Sequence, residues 1–478
     1  MNALALHTDK YQINMMYAHW ANGTHRNRAV FDMYFRKPPF ANGYAVFAGL
    51  ERVVRYVQEL RFTEEELDYL AGQEEGYSPD FLEVLRSLRF TGEIYSVPEG
   101  TIVFPGEPLM RIEAPILEAQ LIETALLNFV NYQTLVATKA ARIKHIAGED
   151  GLLEFGTRRA QEADAAVWGA RAAYLAGFHA TSNLRAGMLF GIPTKGTHAH
   201  SWVQMHDSES EAFDRFAAAL PDQVTLLVDT YDTLRSGVPN AIRTAKAMEA
   251  RGKRMQAIRL DSGDLAYLSK RARAMLDEAG LSYVRIVASN DLDEHILFDL
   301  KAQGARIDTW GVGTKLITAK DDPALGGVYK LVAREQAGIL KPVIKISANP
   351  EKVTTPGAKE VYRIINRQSG KAIADYIASV EETDMQEGKP LRLFDPIHPY
   401  LQQEVGEYEA IPLLQPVFQK GKLVYDLPGI EHARAFHREG LRQFWPEYLR
   451  RMNPEKYPVD LSPNLWQMRE RLLQAHMR

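Results

Sequence analysis

The sequence predicts an α/β protein, with an irregular parallel α/β barrel between an N-terminal mixed α/β domain and a C-terminal extension. Three observations favour this fold class. The chain has 478 residues, which is too long for one ordinary core. From about residue 150 to 315, short apolar runs alternate with helical segments, which is the pattern of β-α-β units. Polar residues follow nearly every apolar run, as they do where parallel sheets bind ligands.

The pattern divides the chain into three expected domains. Residues 1–135 form the mixed domain, residues 136–345 the barrel, and residues 346–478 a C-terminal domain or extension that packs on the rest. In this last segment the β-α alternation stops. Residues 390–399 are rich in proline, and residues 434–478 are charged and helical in pattern.

Local signals predict the elements of the first domain. Residues 29–36 alternate apolar and polar side chains in part, as a strand does. Thr63 and Glu66 have the spacing of a capping box at the start of a helix. Residues 91–113 carry glycine and proline between short β-like runs, and residues 116–141 are apolar with few helix breakers, so we expect one or two helices there.

Nearly every predicted strand of the barrel ends in polar residues. The strands are residues 152–158, 178–182, 192–197, 224–229, 255–261, 284–290 and 307–311. Parallel strands have their carboxyl ends at one edge of the sheet, so we expect their last polar side chains to form a ligand pocket. These side chains are Arg158, Ser182, His200, Asp229, Asp261 and Asn290.

Composition excludes several classes of function. The chain has no cysteine, which rules out disulfides, thiolate catalysis and zinc–thiolate sites. Its net charge of −4 gives no electrostatic reason to expect nucleic acid or a membrane surface as partner. The first residues lack the basic segment of a signal peptide, and no apolar run is long enough to span a bilayer. We therefore expect a cytoplasmic enzyme.

The stretch 196–202 contains His198 and His200, and His206 follows it. Three interpretations remain open. The pair could bind a metal, although no carboxylate stands at metal-ligand spacing. His200 could be a buried histidine with satisfied hydrogen bonds. It could also be a nucleophile, which requires a carboxylate to fix its tautomer, and Asp229 is the candidate.

Two glycine-containing loops follow neighbouring strands. In residues 259–264, small residues precede a helix, whose first turn favours anions. Arg259 could bind a diphosphate there, and Asp261 could accept from sugar hydroxyls or hold Mg²⁺. The alternative is a capped turn with a surface ion pair. Residues 311–315 form the second loop, which could be only a tight turn. Together, the two loops favour a phosphate site.

Phe155 and Arg158 form a third candidate constellation. A flat aromatic acid could stack on the Phe155 ring and pair with the Arg158 guanidinium. The alternative is a core phenylalanine beside exposed arginines.

Six motifs in order resemble the nicotinate phosphoribosyltransferase family, over about residues 5–430. They are D-K-Y-Q at 9–12, E-F-G-T-R-R-A-Q at 154–161, G-T-H-A-H-S at 196–201, V-D-T-Y-D at 228–232, R-L-D-S-G-D at 259–264 and G-V-G-T at 311–314. The resemblance implies ATP-coupled transfer of phosphoribose from phosphoribosyl pyrophosphate (PRPP) to nicotinate for NAD salvage. It also implies Mg²⁺, no resident metal site on the protein, and a homodimer with the active site at the subunit interface.

The resemblance also implies roles for individual residues. His200 would be phosphorylated by ATP and hydrogen-bonded by Asp229. The nicotinate ring would stack between Phe155 and the partner subunit's Tyr11, with Arg158 nearby. The partner subunit's Arg36 would reach the phosphates. The phosphoribose and pyrophosphate would be held by Arg259, Asp261, Ser289, Asn290, Gly313 and Thr314.

Ser182 bears on the choice of base. Nicotinamide-using relatives carry an aspartate at the corresponding turn, whereas a serine hydroxyl can donate to the nicotinate carboxylate. The alternatives are a nicotinamide or quinolinate phosphoribosyltransferase on the same fold, a catalytically inactive nucleotide sensor, and a metal-dependent hydrolase built on His198 and His200. Quinolinate would need further basic residues, and an intact His200 argues against the sensor.

Overall fold

A computed structural model describes residues 4–349, 352–382 and 389–476. The chain forms two compact units. The first combines the described residues of Met1–Thr138 and Ala324–Arg478, and the second comprises Lys139–Pro323. In the described residues, no helix is both long and apolar enough to cross a membrane.

The elements form a mixed segment, an alternating segment and a third segment that is rich in strands, which the sequence analysis did not anticipate. The helices are α1 Lys10–Ala21, α2 Leu50–Glu59, α3 Glu64–Ala71, α4 Pro79–Ser87, α5 Ile116–Leu121, α6 Glu123–Ala147, α7 Ala163–Leu175, α8 Leu184–Phe190, α9 His200–Gln204, α10 Glu209–Ala219, α11 Val238–Glu249, α12 Leu265–Glu278, α13 Glu294–Ala302, α14 Thr314–Ile317, α15 Ile430–Arg442, α16 Pro446–Leu449 and α17 Pro463–His476. The strands are β1 Arg28–Phe35, β2 Ala45–Val46, β3 Glu93–Ser96, β4 Ile102–Val103, β5 Met110–Pro115, β6 Gly151–Glu154, β7 Ala180–Thr181, β8 Thr225–Leu227, β9 Ala257–Leu260, β10 Arg285–Ser289, β11 Thr309–Val312, β12 Gly327–Gln336, β13 Ile339–Pro342, β14 Lys359–Asn366, β15 Lys371–Ser379, β16 Leu391–Phe394, β17 Gln402–Val405, β18 Tyr408–Pro412, β19 Gln415–Gln419, β20 Lys422–Leu423 and β21 Val459–Leu461.

The first unit is built on two larger sheets. A seven-stranded sheet has the order β13-β12-β1-β5-β3-β19-β20, and a four-stranded sheet has the order β18-β14-β15-β21. Strand β1 pairs antiparallel with both β12 and β5, so it is an interior strand of this sheet, and most of its side chains are buried. The capping box of Thr63 and Glu66 is formed at the start of α3, which confirms that prediction.

The predicted domain boundary at residue 345 stays a prediction, and the two compact units divide the chain elsewhere. Residues 324–345 belong to the first unit, because β12 pairs along β1 and β13 continues that sheet. The alternating pattern of β12 identifies a strand, but it does not say which sheet the strand joins. The chain therefore leaves the second unit at residue 323.

The second unit is one parallel sheet of six strands flanked by helices. Its order is β7-β6-β11-β10-β9-β8, and all neighbouring pairs are parallel. The strand interiors are buried and apolar, as expected for a parallel sheet covered on both faces. Closure of this sheet into a barrel remains a prediction, because the hydrogen-bonded order runs from β7 to β8 without joining them.

The strand expected at residues 192–197 is not formed as such. It is reduced to a single parallel bridge between Thr194 and Thr181. Pro193 cannot donate a backbone hydrogen bond, and its carbonyl accepts from Thr181 instead. Residues 196–199 then run as an irregular segment into α9, which places His200 beside the strand ends.

Candidate active site

The carboxyl edge of the six-stranded sheet gathers most of the predicted site residues. Because the strands are parallel and in close register, the residues that follow them lie at one edge. These are Phe155, Arg158, Ser182, Asp229, Arg259, Asp261, Ser289, Asn290, Gly313 and Thr314.

Arg259, Asp261 and Ser289 form the centre of this edge. The Arg259 Nη2 atom lies 2.8 Å from Asp261 Oδ1, and its Nε atom donates to Ser289 Oγ at 2.8 Å. Ser289 Oγ in turn donates to Asp261. Burial acts to raise the pKa of Asp261, but the hydrogen bond from Ser289 and the Arg259 cation outweigh it, so the pKa is lowered. Asp261 is therefore a carboxylate at neutral pH, held next to a cation.

Thr197 also belongs to this cluster, although we assigned it no role from the sequence. Its Oγ1 atom accepts from Arg259 Nη1 at 3.0 Å. Arg259 is thus fixed in one orientation by three side chains, with only 15% of its side chain exposed. A guanidinium held in this way is prepared to bind an anion without further ordering.

His200 reaches the same cluster from the first position of α9. Its Nδ1 atom lies 3.1 Å from Thr230 Oγ1, and its Nε2 atom lies 3.8 Å from Asp261 Oδ2. The side chain is 40% exposed, so a substrate can reach the ring. A hydroxyl partner on one nitrogen sets the orientation of the imidazole and leaves the other nitrogen facing the site.

Asp229 differs from its expected role in one respect. The structure gives the His200 ring Thr230 as its hydrogen-bond partner, in place of the expected Asp229. Asp229 Oδ2 instead accepts from the backbone N–H of Asp261 at 2.7 Å and from Ser262 Oγ at 2.6 Å. The reason is local, because the carboxylate satisfies the turn that follows β9. Its other oxygen, Oδ1, is buried and has no hydrogen-bond partner among the residues that the structure describes.

His198 is a structural histidine. It is 7% exposed, and its Nε2 atom accepts from the backbone N–H of Leu227 at 3.2 Å. Burial lowers the pKa of its ring, which favours the neutral form. Among residues 4–349, 352–382 and 389–476, no group of three or more His, Cys, Asp or Glu side chains could hold a metal ion. His198 uses its Nε2 atom within the fold, which does not favour the metal interpretation of this histidine pair.

Phe155 presents its ring at the strand ends because Gly311 makes room for it. A Cβ atom on Gly311 would lie 2.7 Å from Phe155 Cδ2. The Arg259 guanidinium carbon lies 5.7 Å from the centre of the ring. The ring is partly exposed, so one flat surface beside a fixed cation is available to a ligand.

Glu154 holds the turn that carries Phe155, and sequence reasoning missed this role. One carboxylate oxygen accepts from Thr181 Oγ1 at 2.6 Å, and the other accepts from the backbone N–H of Gly156. Burial raises the pKa of this carboxyl group. The sequence signal for this role was an ionisable residue, Glu154, in a buried position directly before the candidate aromatic residue Phe155.

The loop after β10 has strained backbone and is tied to the segment after β11. Asn290 and Asp291 have φ values of 106° and 41°, in a region that non-glycine residues rarely adopt. Lys315 Nζ lies 2.7 Å from Asp293 Oδ2, which joins the two segments. Strain of this kind persists only where surrounding contacts impose it, and it clusters at functional sites.

Four of the predicted site residues are held in place by few contacts of their own. Arg158 and Ser182 are exposed at the sheet edge. Tyr11, on α1, is 49% exposed, and Arg36 follows β1; both lie in the first unit. The structure therefore adds no contact that tests the assignment of Tyr11 and Arg36 to a partner's site.

This edge has the features of an α/β enzyme that binds a phosphorylated substrate at the carboxyl ends of a parallel sheet. Models of the nicotinate phosphoribosyltransferase N-terminal domain, family and C-terminal domain match residues 6–131, 151–374 and 358–469. The chain belongs to the nicotinate phosphoribosyltransferase family.

Individual relatives agree with this assignment. A Bacillus subtilis nicotinate phosphoribosyltransferase is 56% identical over 467 residues, covering 97% of this chain and 94% of the relative. The Caenorhabditis elegans protein of the same name is 37% identical, covering 96% of this chain and 92% of its own length. The crystal structure of human nicotinic acid phosphoribosyltransferase superposes with a TM-score of 0.86 at 32% identity, covering 98% and 99% of the two chains.

Proposed function

We propose that the protein is an ATP-dependent nicotinate phosphoribosyltransferase of NAD salvage. The reaction converts nicotinate, PRPP, ATP and water into nicotinate mononucleotide, pyrophosphate, ADP and phosphate. The observation that carries the proposal is the cluster of Arg259, Asp261 and Ser289 beside the Phe155 ring. It places an anion-binding cation next to an aromatic surface, as transfer of phosphoribose to a pyridine acid requires.

Nicotinate would bind on the ring of Phe155. Stacking orients the pyridine, while its carboxylate can pair with Arg158 and accept from the hydroxyl of Ser182. Both of these side chains are exposed at the same edge. The partner subunit's Tyr11 would cover the other face of the ring, so the proposal includes a homodimer with a shared active site.

PRPP would bind across the strand ends. Arg259 can pair with the pyrophosphate, and the backbone of Asn290, Gly313 and Thr314 can donate to phosphate oxygens. Asp261 can accept from the ribose hydroxyls. The partner subunit's Arg36 would add a second cation. Because the ring nitrogen of nicotinate must attack the anomeric carbon as pyrophosphate leaves, this fixed positioning is the main contribution of the protein.

The carboxylates at this edge of the sheet suit a Mg²⁺ ion that arrives bound to the substrate phosphates. Mg²⁺ in such sites uses one or two carboxylates and keeps phosphate and water oxygens as its other ligands. Two carboxylate oxygens could hold this ion: Asp229 Oδ1, which has no hydrogen-bond partner in the described part of the chain, and Asp261 Oδ2. When bound, the ion neutralises charge on the leaving pyrophosphate.

His200 would couple ATP to the transfer. A ring nitrogen would displace ADP from the γ-phosphoryl group of ATP, and water would later hydrolyse the phosphohistidine to release phosphate. The exposure of the ring and its fixed orientation by Thr230 support this role. The added negative charge would lie beside Arg259 and Asp261, where it can change the affinity for PRPP. A cytoplasmic location is part of the same proposal.

A transfer assay tests the proposed reaction. Purified protein is incubated with PRPP, Mg²⁺ and ATP, and with either nicotinate or nicotinamide, and the mononucleotide and pyrophosphate are quantified. We expect nicotinate mononucleotide and pyrophosphate in equal amounts, with little nicotinamide mononucleotide. Product from nicotinamide alone would identify the alternative enzyme on this fold, and product from neither base would refute the proposed function.

A further inference from the structure

Glu154 and Thr181 are joined by a buried hydrogen bond between two neighbouring strands. Strands β6 and β7 pair in parallel with Glu154 opposite Thr181, so the two side chains lie on the same face of the sheet. Thr181 Oγ1 donates to Glu154 Oε2 at 2.6 Å. Glu154 is 1% exposed and Thr181 is fully buried, so water does not compete for this contact.

Each of these residues is followed directly by a residue of the proposed base site. Phe155 follows Glu154, and Ser182 follows Thr181. The backbone N–H of Ser182 donates to the Glu154 carbonyl at 2.9 Å, and the second carboxylate oxygen of Glu154 accepts from the backbone N–H of Gly156. Glu154 therefore contacts the residues on both sides of Phe155 and Ser182 and holds the two strand ends in one arrangement.

The Thr181 hydroxyl has a second partner beyond Ser182. Its Oγ1 atom accepts from the backbone N–H of Asn183 at 2.9 Å, and Asn183 Oδ1 accepts from the backbone N–H of Ala186 at the start of α8. Ser182 is thus fixed from its two neighbours in the sequence, and the hydroxyl of Thr181 connects both sets of contacts to the Glu154 carboxylate.

The choice of a carboxylate at residue 154 is costly for folding alone. Burial raises the pKa of this group, and the influences that oppose burial are the hydrogen bonds from Thr181 and Gly156 rather than a cation. Apolar side chains could join two strands without the desolvation of an ionisable group. What the carboxylate adds is direction, because it accepts from two donors at defined positions.

We infer that Glu154 and Thr181 are positioning residues for the base, which together fix the Phe155 ring relative to the Ser182 hydroxyl and so set the preference for nicotinate over nicotinamide. This inference rests on the function proposed above and names the residues behind its base selectivity. Neither side chain touches the base, since both are buried beneath the strand ends.

The two bases differ in a way that makes this arrangement decisive. Both present the same ring to Phe155, and they differ by a carboxylate oxygen in place of an amide nitrogen. Stacking therefore does not separate them, and discrimination depends on a donor held at the right place beside the ring. A displaced Ser182 hydroxyl would weaken its hydrogen bond to the nicotinate carboxylate and leave the stack in place.

Steady-state kinetics of the full-length enzyme with each base test this role. Thr181→Val keeps the volume of the side chain but removes the hydroxyl. It should raise the KM for nicotinate about three- to tenfold and lower the ratio of kcat/KM for nicotinate to that for nicotinamide by a similar factor. The KM for PRPP should change little. Thr181→Ser keeps the hydroxyl and should keep the base preference.

Glu154 variants examine the same contact from its other side. Glu154→Ala should reproduce the loss of preference. Glu154→Gln should restore it, because its amide oxygen can accept from Gly156 while its nitrogen donates to Thr181 Oγ1. Urea denaturation shows which variants are folded, and Thr181→Val decides the matter if Glu154→Ala is not.

Thr244→Val is the matched control for a purely structural effect. Thr244 is 1% exposed, and its Oγ1 atom donates to Asp214 Oδ1 at 2.8 Å between α11 and α10. It should lose stability as Thr181→Val does and keep the KM for nicotinate. A folded Thr181→Val enzyme with unchanged KM and base preference, or an equal loss of preference in Thr244→Val, would overturn the inference alone. A wild type that does not use nicotinate would refute the proposed function as well.

Discussion

Gly311→Ala tests whether the Phe155 ring is the surface on which the base binds. A Cβ atom at residue 311 would lie 2.7 Å from the ring, and 3.3 Å from the Cβ atom of Ser289. Ordinary van der Waals contact begins at about 3.4 Å, so the ring must retreat by about 0.7 Å. The backbone of Gly311 does not require glycine for its φ angle, which confines the perturbation to this contact.

The expected magnitude follows from what the ring contributes. An aromatic stack is worth about 0.5–1.5 kcal/mol, so its loss should raise the KM for nicotinate about two- to tenfold. Overpacking should also lower the free energy of unfolding by about 1–3 kcal/mol. Steady-state kinetics with nicotinate varied at saturating PRPP, together with urea denaturation, measure the two effects separately.

Gly440→Ala is the matched control for this change. Gly440 lies in α15, where no described atom lies within 4 Å of the added Cβ, so the variant should keep its KM and unfold with a free energy equal to that of wild type or up to about 1 kcal/mol higher. A Gly311→Ala enzyme with an unchanged KM for nicotinate would show that the base does not depend on the position of Phe155. The placement of nicotinate would then be wrong.

Four other predictions follow from the same structure. Thr230→Val, which removes the His200 partner, should reduce ATP stimulation of product formation about tenfold or more, whereas Thr230→Ser should retain it. Lys315→Met should lower the free energy of unfolding by about 3 kcal/mol in urea, because it leaves the buried Asp293 carboxylate unpaired; an unchanged transition midpoint would contradict this. Ser182→Asp should raise the KM for nicotinate and improve use of nicotinamide, measured by competition; equal preference before and after would refute the role of Ser182. Burial lowers the pKa of His437 to about 4 in the folded protein. As the pH falls below 6.5, the His437 ring therefore binds a proton in the unfolded chain before it does so in the folded one, which favours unfolding. Between pH 6.5 and 4, the free energy of unfolding of wild type should fall by about 3 kcal/mol more than that of His437→Gln.

The alternating segment was predictable because its signals are local. Apolar runs of strand length, helix-forming segments between them and polar residues at the run ends all lie within a few positions of one another. The structure has strands β8, β9 and β10 where the apolar runs are, and Arg259, Asp261 and Ser289 meet as the parallel register requires. The capping box at Thr63 was readable for the same reason.

Long-range pairings were not predictable from single residues. The register of β12 on β1 joins positions about three hundred residues apart, so the local pattern could not assign β12 to a sheet. The hydrogen-bond partner of His200 was hard to predict for a similar reason. Asp229 and Thr230 are neighbours in the sequence, but their side chains point in different directions, and Thr230 contacts the ring. Which of them faces the imidazole depends on the turn after β9, where Asp229 satisfies the backbone of Asp261.

The ion pairs that hold the loops of the second unit were not predicted from the sequence, because they join residues on different segments of the chain. Lys315 and Asp293 have ordinary surface character in sequence, yet they join the loops after β10 and β11. Lys139 and Glu294 form a further pair at 3.1 Å, with both side chains fully buried. Sequence spacing carries no signal for such contacts, since each joins side chains from different elements of the fold.

The most direct measurement is the ATP dependence of nicotinate mononucleotide synthesis in wild type, His200→Ala and His206→Ala. His206 is a nearby histidine whose Nδ1 atom bonds the Trp202 carbonyl at 2.7 Å, so its variant controls for loss of an imidazole outside the cluster. We predict strong ATP stimulation in wild type and His206→Ala, and weak, ATP-independent synthesis in His200→Ala. Full ATP stimulation in His200→Ala would contradict the coupling role of this site.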